Sequence, residues 1–226
     1  MWVLAESWLR LLCFDFEGVR RVAEITMASD VESHAIWTRT AARISAGYAD
    51  IFQGNHERAW QSFAEVRDYD ITPKFFLHWH WRMHAELGAT EARLSAGDLP
   101  QARREADEFL ESALSVADPS LRAFAWEINS RVARAESNGR KAREHIDNAL
   151  ALVDKFEIPV AGWQVHRTAW DICRDEGDHA KAESHRLRAS KLIMKIADSF
   201  ERDEPLRACF LGVPPIRRIF EEATSA

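Results

Sequence analysis

Gly97-Asp98-Leu99-Pro100-Gln101-Ala102 is the clearest of four copies of one short phrase, in which a turn residue and an Asp or Asn precede an alanine. The other copies are Gly54-Asn55…Ala59, Ser137-Asn138-Gly139…Ala142 and Gly177-Asp178…Ala182. The alanines are separated by 43, 40 and 40 residues, and periods of this size are typical of stacked helical repeats. The phrase therefore predicts an all-α protein built from helix pairs.

Start and stop signals outside the phrase divide the rest of the chain into helices. Ser29 with Glu32 is typical of a capping box, while Thr72-Pro73 and Asp118-Pro119 place a cap before a proline. We expect one α-solenoid domain over 1–226, made of about five antiparallel helix pairs. The pairs are predicted near 2–28, 31–69, 73–116, 119–156 and 159–201, followed by a cap of short helices over 203–223.

Composition limits the classes of function. The chain has 226 residues, of which 46% are hydrophobic, so it can bury a sizeable core. Its net charge of −6 argues against a general nucleic-acid or anionic-membrane surface. Cys13, Cys173 and Cys209 are too few and too far apart for a disulfide framework. We expect a cytoplasmic protein that contacts neither nucleic acid directly nor a membrane.

The first helix is unusually apolar. The stretch Met1–Phe16 carries Glu6 and Arg10 and no small-residue cleavage site follows it, so it predicts a buried amphipathic helix and not an export signal. Its apolar residues begin almost at the first methionine, whereas solenoid ends are usually polar. We expect this helix to pack against a second copy of the chain, forming a homodimer, or against a domain outside it.

The repeat resembles the tetratricopeptide repeat (TPR), which carries a small residue in its first helix, a Gly-Asp or Gly-Asn turn, and an alanine five residues after that glycine. The matching residues are Gly47, Gly54, Ala59 and Phe63 in one repeat, Gly97 and Ala102 in the next, Trp126, Ala142 and Ala149 in the third, and Gly177, Ala182 and Ala189 in the fourth. The resemblance implies a right-handed solenoid. The repeat of this chain departs from the family in its period, which is about 40 residues, whereas the period of the family is about 34 residues.

The last part of the chain resembles the C-terminal helical tails of bacterial signalling ATPases, kinases and transcription regulators. The residues that carry this likeness are Trp163-Gln164-Val165-His166, Gly177-Asp178, Ala189, Leu206-Arg207 and Phe210-Leu211. The resemblance implies a place in a bacterial signalling or regulatory system, with any nucleotide-handling domain outside this chain.

By the same resemblance, partners bind in a concave groove formed by the first helix of each pair. The family's groove positions fall on Tyr48, His84, Glu91, Glu127, Arg131, Arg134, Gln164, Arg167, Asp171 and Arg174. Arginines at helical spacing suit carboxylate or phosphate binding because the guanidinium presents a fork of donors. The pairs Glu127/Arg131 and Arg167/Asp171 are also interpretable as i,i+4 ion pairs on a solvated face, and this interpretation is the favoured one.

Catalytic motifs are absent from the sequence: it has no phosphate-binding loop, nucleophile elbow or His-Glu-x-x-His. The cluster His78/His80/His84 places His80 and His84 one helical turn apart. That spacing suits a shared metal, general acid–base work or a structural role. We predict the structural role, with no metal, cofactor or catalytic residue.

Three functions remain open at this stage. The first is a non-enzymatic module that binds a protein or peptide in its groove. The second is a ligand-sensing helical-repeat domain that controls a transcription regulator. The third, which we favour least, is an enzyme that uses the histidine cluster. A shallow groove lined by arginines and aromatic rings favours the first function, and a deep pocket with a converging carboxylate favours the third.

Overall fold

The computed structural model describes residues 2–27, 32–68, 78–202 and 204–222, and in these ranges all regular secondary structure is helical. The helices are α1 (Trp2–Leu12), α2 (Phe16–Met27), α3 (Glu32–Phe52), α4 (His56–Asp68), α5 (His78–Ser95), α6 (Leu99–Leu114), α7 (Pro119–Ala135), α8 (Gly139–Lys155), α9 (Pro159–Asp175), α10 (His179–Ala197), α11 (Pro205–Gly212) and α12 (Pro214–Glu221). The prediction of an all-α protein is confirmed. In the part that the structure describes, no helix is long and apolar enough to cross a membrane.

Helix boundaries follow the local signals in the sequence. Asp118 caps α7, since its carboxylate accepts hydrogen bonds from the backbone N–H groups of Ser120 and Leu121 at 2.8 and 3.0 Å. Proline occupies the first turn of α7, α9, α11 and α12, where no intrahelical N–H bond is lost. The Thr72-Pro73 and Ser29 signals lie outside the described residues.

The repeated phrase forms one turn geometry, and the structure adds a fifth copy. The turn residues with positive φ are Phe14, Gly54, Gly97, Ser137 and Gly177. In each turn the residue that follows donates its N–H to the carbonyl five positions earlier, as in Asp98 to Arg93 at 3.0 Å. This is the pattern of a Schellman cap. Sequence reasoning did not group Asp15 with the other copies, because Phe14 stands where three turns have glycine.

The residue five positions after each turn residue is buried. These residues are Val19, Ala59, Ala102, Ala142 and Ala182, and each is at most 3% exposed. A small or branched side chain at this place lets the second helix of a pair approach its neighbours closely. The alanines are therefore core residues, as the sequence predicts.

The chain forms two compact units, Met1–Phe109 and Leu110–Ala226. In the first unit α1 contacts α2 and α3, and α3 contacts α2, α4 and α5. Its core includes Ile44, Phe63 and Val66. The ring of Phe63 lies against Gly47 of α3 and Gly88 of α5. At both positions this ring fills the space that a Cβ atom would need.

In the second unit α9 contacts α7, α8 and α10. Short helices follow, and α12 contacts both α10 and α11. Ile128, Ile146 and Ile193 are fully buried in this unit. The expectation of a single domain over 1–226 stays a prediction.

Candidate functional site

Seven of the ten predicted groove residues lie on α7 and α9 of the second unit, and Glu127 is at the centre of one group. Its side chain is 1% exposed, and it accepts a hydrogen bond from the Thr168 hydroxyl. Arg131 lies 3.8 Å from this carboxylate on α7, and Arg167 lies 3.9 Å from it on α9. One buried carboxylate therefore holds arginines of two helices against the same face.

A second group joins the same two helices further along. Arg134 of α7 donates a hydrogen bond to Asp175 of α9 and lies 4.0 Å from Asp171. The hydrogen bond from Arg134 lowers the pKa of Asp175. Arg134, Asp171 and Asp175 thus form an ion-pair network between the helices, and Asp171 pairs with Arg134 as well as with a residue of α12.

The C-terminal helix contributes residues that sequence reasoning missed. Arg218 donates to Asp171 at 3.1 Å, and both Arg218 and Arg174 donate to Glu222, at 3.0 and 2.7 Å. The guanidinium groups of Arg174 and Arg218 lie 5.4 and 4.8 Å from the ring centroid of Trp170. Asp171 and Arg174, two predicted groove residues, are therefore in contact with α12.

Gln164 completes the set on α9. Gln164 is half-buried and lies one helical turn before Thr168, the residue of α9 that donates to Glu127. Beside it, the guanidinium of Arg167 lies 6.0 Å from the ring centroid of Trp163. We call the surface formed by Glu127, Arg131, Arg134, Gln164 and Arg167 the α7/α9 face.

The α7/α9 face thus carries three arginines, one of which, Arg167, lies over the buried ring of Trp163. No protein-family model and no curated protein matches this chain. Its function must therefore be inferred from its own residues, and the likeness to tetratricopeptide repeats stays a resemblance.

The other three predicted groove residues lie in the first unit. Tyr48 is half-buried on α3, with its ring 5.2 Å from that of Phe63. Glu91 is half-buried on α5. His84 of α5 is buried, and its ring lies 4.3 Å from Trp8 of α1.

Two members of the histidine cluster, His80 and His84, pack around Trp8. His80 and His84 are on the same side of α5, with their ring centroids 4.6 Å apart, and Trp8 lies 5.0 Å from His80. Burial, with a smaller effect of His80, holds the pKa of His84 well below its usual value. The side chain of His78 is outside the described set. Among the described residues, no group of three or more His, Cys, Asp or Glu side chains could hold a metal ion.

A second histidine pair lies in the other unit. The Nδ1 atoms of His166 on α9 and His185 on α10 are 3.1 Å apart. Burial, with smaller effects of His185 and Arg188, lowers the pKa of His166 to about 4. Burial and nearby arginines lower the pKa of His185 as well. Two neutral imidazoles, one donating and one accepting, satisfy this contact.

Proposed function

We propose that the chain is a TPR-like helical-repeat protein whose five helix pairs stack as a right-handed α-solenoid. Two observations support this proposal. The five turns share one hydrogen-bond pattern. Within each unit, a first helix contacts the next first helix, as α1 contacts α3 and α7 contacts α9. Contacts of this kind are expected of stacked repeats, because each repeat packs on its neighbours.

We infer that the protein is a non-enzymatic interaction module that binds a protein or peptide through the α7/α9 face. The observation that carries this conclusion is the Glu127 group, in which Arg131 and Arg167 from successive first helices flank one buried carboxylate. A buried carboxylate costs free energy unless it is paired. This one fixes two guanidinium groups at a surface, where their planar forks suit carboxylates of a partner.

The cellular role that we propose follows from the resemblance alone. We propose a cytoplasmic role in a bacterial signalling or regulatory system, in which this chain recruits another protein. The rings of His80 and His84 contact Trp8 and each other, and His84 is buried, so these contacts support a structural role for the two histidines.

Affinity capture with matched variants tests this function. Removing both arginines alone would take two cations away from the buried Glu127 carboxylate, so the test variant is Glu127→Gln/Arg131→Gln/Arg167→Gln. Its control is Arg140→Gln/Glu144→Gln, which removes an exposed ion pair from α8. We expect a partner that the native chain and the control capture equally from a lysate of the source organism, and that the folded test variant loses. Equal capture by all three proteins contradicts the proposal.

A further inference from the structure

Helix α1 has two apolar faces, and the described part of the first unit covers only one of them. Trp8 and Leu11 pack against the buried core cluster of this unit. On the same side of α1, Ser7 is 3% exposed, whereas Leu9 on the other side is 42% exposed. A helix that buries a serine and exposes a leucine reverses the usual arrangement. An exposed apolar face of this kind is typical of a surface that binds a partner.

The exposed face is a stripe at helical spacing. Leu9 follows Ala5 by four residues and precedes Leu12 by three, so the three side chains lie within about 60° of one another around the helix axis. Ala5 is exposed and Leu12 is half-buried. Apolar residues at this spacing are those through which one helix packs along another. We call Ala5, Leu9 and Leu12 the α1 stripe.

Opposite charges line one side of the stripe. Glu6 and Arg10 pair at 2.9 Å, and their side chains are 48% and 28% exposed. They stand two residues before and two residues after Trp8, near the middle of the stripe. An antiparallel pair of identical helices brings the same side of both helices together in opposite order. Glu6 of each copy then lies beside Arg10 of the other.

The net charge of α1 also suits a second copy of the chain. Glu6 and Arg10 are the charged residues of this helix, so its formal charge is zero, whereas the whole chain has a formal charge of −6. Two acidic chains repel each other where like charges meet. At α1 they meet without this repulsion.

The turn after α1 adds aromatic surface next to Leu12 in sequence. Phe14 has φ 61°, at a place where three of the other turns have glycine. A left-handed backbone costs free energy in a residue that carries a Cβ atom, so the ring of Phe14 is kept here against a conformational cost. This ring lies 6.3 Å from that of Phe52, which is 49% exposed, and 6.4 Å from that of Phe16. Aromatic residues are enriched at protein interfaces.

We propose that the α1 stripe is a homodimer interface, in which α1 of one copy packs antiparallel on α1 of a second copy. A twofold interface uses the same patch on both copies. The α1 stripe meets this requirement, because it is apolar along its centre and carries opposite charges in self-complementary order along one side. The aromatic group at the turn extends the apolar surface beyond Leu12. The proposal is independent of the α7/α9 face, which is formed by other helices.

Sedimentation equilibrium of the purified full chain tests the proposal. We expect the native chain to dimerise and Leu9→Glu to raise the dimer dissociation constant at least tenfold. Leu187→Glu is the matched control, since it places the same charge at a leucine of α10 that is 47% exposed, and it leaves the constant unchanged. A native chain that stays monomeric up to about 100 μM overturns the proposal, because it excludes a micromolar dissociation constant. Equal effects of the two substitutions also overturn it.

Charge variants test the antiparallel arrangement and leave the apolar stripe intact. Glu6→Arg makes positions 6 and 10 both positive, and Arg10→Glu makes both negative. Each variant alone is expected to dimerise at least threefold more weakly than the native chain, because like charges meet across the twofold axis. An equimolar mixture is expected to recover dimers, since each position 6 then meets an opposite charge at position 10. With circular dichroism showing both variants folded, a mixture no more dimeric than its components overturns the proposal.

Discussion

The ring of Phe63 occupies the space that a side chain at Gly88 would need: a Cβ built on Gly88 lies 2.3 Å from Cε1 of that ring. A Cβ on Gly47 would lie 2.6 Å from the same ring, at Cζ. Phe63 is fully buried, so its ring cannot turn into solvent to make room. Two glycines on α3 and α5 therefore set the approach of α4.

We expect Gly88→Ala to lower the free energy of unfolding by about 1–2 kcal/mol. Overpacking of a filled core costs about 1–3 kcal/mol, and the better helix propensity of alanine returns part of it. Urea denaturation followed by circular dichroism measures the change. Gly139→Ala is the control, because a Cβ there meets no atom within 4 Å. A Gly88→Ala protein as stable as this control would show that Phe63 has room to move.

At one of the turn residues, a substitution is predicted to raise the stability of the protein. Ser137 adopts φ 59°, whereas Gly54, Gly97 and Gly177 stand at the equivalent place with φ between 75° and 79°. The left-handed conformation costs a non-glycine residue about 1–2 kcal/mol. We expect Ser137→Gly to raise the melting temperature and Gly97→Ala to lower it. Thermal melts must show changes in melting temperature of opposite sign for the two variants. A lower melting temperature for Ser137→Gly would contradict the left-handed conformation of Ser137.

The hydroxyl of Thr168 is a neutral donor to the buried carboxylate of Glu127. Thr168→Val keeps the shape of the side chain and removes the hydroxyl that donates to this carboxylate. We expect a loss of about 1.5–3 kcal/mol of stability, the usual contribution of a hydrogen bond to a charged group. Thr168→Ser restores the donor and is predicted to recover most of the loss. If valine and serine have the same effect, the hydroxyl contributes nothing to holding Glu127.

The histidine pair predicts a pH-dependent stability. The pKa of His166 is about 4 in the folded protein against 6.5 in a model peptide, so the unfolded state binds more protons between these values. The free energy of unfolding is then highest above pH 6.5 and falls by up to about 3 kcal/mol as the pH drops towards 4. His84 acts in the same direction.

Urea midpoints between pH 7.5 and 4.5 measure this dependence. His166→Phe is predicted to make the urea midpoint less dependent on pH, because it removes a group with a lowered pKa. His179→Phe, at an exposed position of α10, is the control and keeps the slope of the native chain. An unchanged slope in His166→Phe contradicts the assignment.

Much of the local structure could be predicted from the sequence, because its signals are local. Glycine five residues before an alanine, Asp118 before Pro119 and the terminal prolines set helix ends through caps and φ restrictions that involve neighbouring residues. The turn at Phe14 was not recognised as a copy, since Phe14 and Val19 hide the pattern. Sequence reasoning also missed Arg186, which stands where the three preceding repeats have buried apolar residues, Phe63, Ala106 and Ile146.

The site was harder to predict because its contacts are between distant segments. The i,i+4 pair of Glu127 and Arg131 is close in sequence and is present. Asp171, expected to pair with Arg167, instead contacts Arg134 and Arg218. Such choices depend on which helices pack side by side, and periodicity along one helix does not contain that information.

Site-specific photocrosslinking tests the central claim, that the α7/α9 face binds a protein partner, most directly. A benzophenone amino acid replaces Gln164 on this face or Lys141, an exposed residue of α8, in cells that express the full chain. Our account predicts one defined crosslinked partner from position 164, absent from position 141 and lost with Glu127→Gln/Arg131→Gln/Arg167→Gln. Crosslinks of equal yield from both positions, or their survival in the triple variant, would contradict it.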